Sequence, residues 1–123
     1  MSKSTVLVVE DDERSRRLMH DVLEHAGYEV VVAADGEAAL DLVRSLHPAL
    51  VLMDIQLPGI SGLEALQAIR ADAAIARTTV IAVTAAQSAW PEDQFHAAGF
   101  DGYQPKPLAL REFLGNVRRL LPA

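Results

Sequence analysis

The chain has 123 residues, half of them hydrophobic, which is enough for the core of one domain and leaves no room for a second. Its 11 Lys and Arg against 17 Asp and Glu give a formal charge of -6, which argues against nucleic acid or an anionic membrane as a partner. There is no cysteine for a disulfide or thiolate metal site. The start, Met1-Ser2-Lys3-Ser4-Thr5, is no apolar signal segment, and no stretch approaches the roughly 20 apolar residues of a membrane span, so the expected location is the cytoplasm.

Val- and Ile-rich runs alternate with helix-period segments, five of each, which is the pattern of strand–helix units around a parallel sheet. The first strand is expected at Thr5 to Val9 and the first helix from near Glu13 to Ala26. Leu18, Met19, Val22 and Leu23 share one face of that helix, Arg14, Arg17, Asp21 and Glu24 lie largely elsewhere, and Gly27 stops it. Tyr28 to Ala33 reads as the second strand and Gly36 to Leu46 as the second helix, with Ala38, Ala39, Leu42 and Val43 inward. His47-Pro48 ends it, since a residue before proline resists the helical region. Leu50 to Asp54, apolar on both faces, is expected at the middle of the sheet. The loop Ile55 to Gly62 leads to a helix carrying Leu63, Leu66 and Ile69, and Thr79 to Thr84 forms the fourth strand. A fourth helix from Trp90 to Ala98 tolerates Pro91 near its start; then come a short strand, Gly102 to Gln104, and a last amphipathic helix from about Leu108 to Leu121.

Polar groups stand at the ends of these runs. Glu10, Asp11 and Asp12 follow the first strand, Asp54 ends the third, Thr84 ends the fourth and Lys106 follows the fifth. In one parallel sheet all would converge at the carboxyl edge, where open α/β sheets place ligands. Singly each has an ordinary role: a helix cap, a turn residue, a solvated charge. Together they supply what a phosphoryl site requires. Glu10, Asp11 and Asp54 would repel one another without a cation, and an all-oxygen site suits magnesium. Lys106 can neutralise a phosphoryl oxygen, the Thr84 hydroxyl can donate to another, and Asp54 at the centre is the candidate nucleophile.

These residues lie in segments that resemble the response-regulator receiver domain of two-component signalling over essentially the whole chain. The resemblance runs from Val6-Leu7-Val8-Val9-Glu10-Asp11-Asp12, through Leu52-Met53-Asp54 to Pro58-Gly59-Ile60-Ser61-Gly62 and Val83-Thr84-Ala85, to Gly99-Phe100-Asp101-Gly102-Tyr103-Gln104-Pro105-Lys106-Pro107. It implies a flavodoxin-like (βα)5 fold with strand order 2-1-3-4-5 as one receiver domain over residues 1–123. It also implies Asp54 as the phosphorylated aspartate, and Glu10, Asp11, Asp54 and the Gln56 backbone carbonyl as magnesium ligands. Thr84 is implied as the switch hydroxyl, Tyr103 as the switch aromatic and Lys106 as the phosphate-binding cation, with a cis Lys106-Pro107 peptide. Glu10 departs from the commoner aspartate, and its longer side chain could reach metal through water; Asp12 could simply cap the first helix.

The implied function is that of a phosphoacceptor rather than a metabolic enzyme. A histidine kinase or histidine phosphotransfer protein supplies the phosphoryl group, and a downstream protein reads an altered surface of the fourth helix, fifth strand and last helix. Arg14, Arg16 and Arg17 read as a solvated face or as part of the docking surface for the phosphotransfer partner. Gln56 and Ala86 hold the positions that tune hydrolysis, with a phosphorylated lifetime of ordinary length expected. His20, His25, His47 and His96 share no metal-ligand spacing, and Trp90 fits either core or partner contact. Because the chain ends directly after the last helix, a stand-alone regulator is expected. Three alternatives are weaker. A magnesium-dependent phosphohydrolase would need a general acid where Gln56 stands, a flavin or nucleotide binder would need a glycine-rich phosphate loop where the acids stand, and an unphosphorylated interaction module would not need the full polar set.

Overall fold

Each strand run separates into two alternating faces, because successive side chains of a strand point to opposite sides. The computed structural model of the protein, which describes residues 4–85, 92–106 and 108–121, shows both faces covered. The strands β1 (Thr5–Val9), β2 (Glu29–Ala33), β3 (Leu50–Asp54), β4 (Val80–Ala85) and β5 (Gly102–Lys106) are all parallel, in the order β2-β1-β3-β4-β5. Between and after them run α1 (Glu13–His25), α2 (Gly36–Leu46), α3 (Gly62–Ala71), α4 (Glu92–Ala98) and α5 (Leu110–Leu120). Leu7, Val9, Val51, Met53, Val80 and Ala82 pack with Ala39, Val43, Leu66, Ile69 and Phe95 of α2, α3 and α4. Val6, Val8, Leu50, Leu52, Ile81 and Val83 pack with Met19, Leu23, Phe113 and Val117 of α1 and α5. β3 is buried along its whole length, as its uninterrupted apolar run predicts for a central strand.

Element bounds differ from the sequence reading in informative places. β5 continues past Gln104 through Pro105 and Lys106, which pair with Thr84 and Ala85. Proline is tolerated there because β5 is an edge strand, whose outward N–H positions need no ladder partner. β2 begins at Glu29, β4 runs from Val80 to Ala85, and α5 is shorter at both ends than expected. His47 does leave the right-handed helical region before Pro48, but into the left-handed one, at φ 48°, with its N–H still donating to the Val43 carbonyl at 3.0 Å. Leu18 is a correction: it is 43% exposed. The stripe by which α1 meets the sheet is narrow, running through Met19, Val22 and Leu23, and leaves Leu18 on its flank. The expected helix start at Trp90 and Pro91, the tuning position Ala86 and the Lys106-Pro107 peptide fall outside the described residues.

Candidate functional site

Parallel register brings the polar residues together. Val9 pairs with Met53, so Glu10 emerges beside Asp54; Asp54 pairs with Val83, so Thr84 lies one position further along the neighbouring strand. Lys106 ends β5. Its ammonium forms an ion pair with Glu10 Oε1 and another with Asp54 Oδ2 at 3.2 Å. The second oxygen of each acid is also held: Asp54 Oδ1 accepts the Gln56 N–H at 2.9 Å, and Glu10 Oε2 accepts the Asp12 N–H at 3.3 Å. Asp12 itself caps α1, its side chain accepting from Ser15 N at 2.9 Å, so it belongs to the helix rather than to the acid cluster.

Burial sets the electrostatics. Glu10 is fully buried and Asp54 is 5% exposed, while Asp11 lies open to solvent. Burial, reinforced by hydrogen bonding with Asp54 and by its charge, pushes the Glu10 carboxyl up to about 7 against the opposing pull of Lys106. For Lys106, burial alone would lower the pKa; the hydrogen bond from its ammonium to Glu10 and the charge of Asp54 outweigh it, and the net shift is upward. Carboxylate oxygens of Glu10, Asp11 and Asp54 all lie within 4.8 Å of one another. One ammonium cannot balance three carboxylates; burial does most to raise the Glu10 value, and the charge of the neighbouring Asp54 adds to it. An all-oxygen donor set short of positive charge fits magnesium, which takes carboxylates and keeps several waters.

Thr84 is buried near the carboxyl end of β4 beside this cluster, at 6% exposure. Tyr103 is not part of the acid cluster. Its half-buried ring packs with the α2–α3–α4 side of the core and stacks on Phe95 of α4, centroids 5.4 Å apart and planes 5° apart. Gln56 presents its N–H to Asp54 and its side chain to solvent.

The family follows from comparison with known proteins. A profile of the response regulator receiver domain matches residues 6–118. The chain belongs to this family. Receiver domains are the phosphoacceptor modules of response regulators, and this one is 40% identical over 121 residues to the polar-differentiation response regulator DivK of Brucella ovis, covering 98% of each chain. The chemotaxis protein CheY4 of Vibrio cholerae has the same flavodoxin-like fold, with a TM-score of 0.88 at 28% identity over 98% of this chain and all of that one. The receiver domain of a sensor histidine kinase from Pseudomonas aeruginosa PAO1, solved with a magnesium ion coordinated in its active-site cleft, superposes with a TM-score of 0.87 at 28% identity, over 97% and 98% of the two chains. No described helix of this receiver domain is long and apolar enough to cross a membrane.

Three features of the site had not been singled out from sequence. Arg16, grouped there with exposed cations, turns its guanidinium back onto the backbone that carries the acids. Gly62 opens α3 so close to β3 that a Cβ would lie 2.1 Å from the Asp54 carbonyl oxygen. Gln104, buried between Tyr103 and Pro105, accepts from the Asn116 amide at 2.8 Å, and Asn116 in turn accepts from Arg119 at 2.7 Å. The signal for Gln104 was available: an uncharged amide at a position that strand alternation assigns to the interior must find a partner.

Proposed function

We propose that this receiver domain accepts a phosphoryl group on Asp54 from a histidine kinase or histidine phosphotransfer protein, and works in the cytoplasm. The observation that carries this is the placement of the Asp54 carboxylate at the end of the central strand, against Lys106 and within 4.8 Å of the Glu10 and Asp11 oxygens. In the transfer an Asp54 oxygen forms the new P–O bond as the P–N bond to the donor imidazole breaks, and the histidine leaves as neutral imidazole after taking up a proton. Glu10, Asp11, Asp54 and the Gln56 carbonyl would hold magnesium, which supplies charge neutralisation to the phosphoryl oxygens. Lys106 is already directed at Asp54 and neutralises a further oxygen, with the Thr84 hydroxyl donating to another. Gln56, two residues after the nucleophile, has no acidic proton, so the general-acid step of an aspartate-dependent phosphohydrolase has no donor there.

Output is assigned to α4, β5 and α5, coupled through Thr84 and Tyr103. The Tyr103–Phe95 stack supports this because it ties β5 to α4, so that repacking of one ring is felt by the helix. An open cleft of ≈ 490 Å³ on that face is lined by residues including His96, Tyr103, Glu112, Asn116 and Arg119, chemistry suited to a polar protein partner. For the phosphodonor, Arg14 and Arg17 are exposed on α1, and an adjoining groove contains Val22, Ala26, Leu110 and Leu114.

Incubation with acetyl phosphate and magnesium should add one phosphoryl group to the intact mass. Asp54→Asn and omission of magnesium should each abolish the gain; phosphorylation of the Asp54→Asn protein at an unchanged level would sink the assignment.

A further inference from the structure

The backbone between β1 and α1 delivers Glu10 and Asp11, and its position is fixed from two directions. The Glu10 N–H donates to the Ala33 carbonyl of β2 at 3.0 Å, which continues the sheet ladder by one bond beyond the strand. On the other side Arg16, in the second turn of α1, folds its side chain back over the helix start. Its Nη1 donates to the Glu10 carbonyl at 3.0 Å and, more weakly, to the Asp11 carbonyl at 3.4 Å. Arg16 is half-buried, whereas Arg14 and Arg17 on the same helix are exposed. A guanidinium is permanently charged and planar, and hydrogen bonds from an ionised donor are stronger than neutral ones, so this contact restrains the two carbonyls more firmly than a neutral donor would.

We propose that Arg16 is a positioning residue for the cation site: by clamping the Glu10 and Asp11 carbonyls it fixes where their carboxylates stand relative to Asp54, and so sets the affinity for magnesium. The inference rests on the acid cluster being the magnesium site. Two effects of removing Arg16 have opposite signs, which makes the idea testable. A guanidinium near a cation site repels the cation, so loss of its charge alone would tighten magnesium binding. Loss of the clamp frees the loop and weakens binding.

The experiment is a magnesium chloride titration without phosphodonor, followed by backbone amide NMR shifts at residues 10–12 and by calorimetry, on the parent protein and on Arg16→Ala, Arg16→Gln, Arg16→Lys and Arg17→Ala. Arg16→Ala should weaken binding about tenfold or more, in the range found for groups that orient metal ligands. Arg16→Lys, which keeps one charged donor, should recover part of the loss, and Arg17→Ala, which removes the same charge from the exposed face, should leave the affinity unchanged. Arg16→Gln keeps a shorter stem with a neutral N–H donor that cannot reach as far, and serves if the alanine variant does not fold; it too should weaken binding. Arg16→Ala or Arg16→Gln binding as tightly as the parent, or more tightly, overturns the clamp while leaving the site intact. Failure of the parent itself to bind magnesium at residues 10–12 overturns the site assignment, and the clamp with it.

Discussion

Glu10 is where the local chemistry is most exposed to test, because its carboxyl is buried and shares one ammonium with Asp54. An unfolded glutamate releases its proton near 4.5, and in the folded, magnesium-free protein burial and the neighbouring Asp54 hold the proton until about 7. Between those values the native state binds more protons than the unfolded state, so stability falls as pH rises through that window, by at most about 1.4 kcal/mol per pH unit. Lys106 has the same sign, since its pKa is raised, but loses its contribution only as pH rises through the lysine range. Asp12 has the opposite sign: its bond from Ser15 lowers its pKa, and its contribution disappears in acid. Denaturation midpoints of the magnesium-free protein between pH 4.5 and 7 should therefore fall more steeply for the parent than for Glu10→Gln, and parallel curves would contradict the buried-proton account. Residue types made the acid cluster legible in sequence. The division of labour within it was not, because whether Glu10 or Asp11 is the buried member depends on how the chain leaves β1.

α3 shows how an element, rather than a side chain, shapes the pocket. Ser61 and Glu64 form a reciprocal capping box: the Ser61 hydroxyl accepts from Glu64 N and the Glu64 carboxylate accepts from Ser61 N, both at 3.1 Å. The Ser-x-x-Glu spacing is visible in the sequence and marks the helix start. Hidden from it is the reason for Gly62, whose N–H donates to the Ile55 carbonyl at 3.0 Å while its α-carbon packs against the Asp54 carbonyl. A Cβ there meets backbone that cannot rotate away. Gly62→Ala should consequently cost more than about 2 kcal/mol and impair phosphorylation, because relief requires moving the strand end that carries Asp54. Ser61→Ala removes only the cap, should cost about 1 kcal/mol, and should leave phosphorylation near the parent level. Chemical denaturation and acetyl phosphate labelling of the two variants separate the close approach from the cap.

At the scale of the whole molecule, strand order and the two-sided core were readable because they arise from a period-two pattern that every strand repeats. Contacts that tie distant segments carry no such pattern, and Arg70 is the clearest case. From the last turn of α3 its guanidinium donates to the Gly99 carbonyl at 3.1 and 2.8 Å, to the Ala76 and Thr78 carbonyls at 2.8 and 2.6 Å, and to Asp101 Oδ2 at 3.1 Å. Asp101 Oδ2 also accepts the Val80 N–H at 2.8 Å, so one side chain joins the end of α3, the entry to β4 and the turn from α4 into β5. Gly99 adopts φ 113° in that turn, which directs its carbonyl to Arg70 in a conformation that other residues rarely adopt. Arg70→Ala takes the guanidinium donor from three backbone carbonyls and leaves Asp101 with the Val80 N–H but no cation, and should cost roughly 2–4 kcal/mol. Arg70→Lys should recover only part, since an ammonium cannot reproduce a planar fork. Because the network holds the C-terminal end of α4 and touches none of Glu10, Asp11, Asp54 or Lys106, the folded Arg70→Ala protein should still be phosphorylated on Asp54. Faster amide exchange should appear at Val80 and along α4 before it appears in β1 or β3. Uniformly faster exchange across all five strands would show instead that Arg70 supports the fold as a whole, and not the half of the molecule assigned to output.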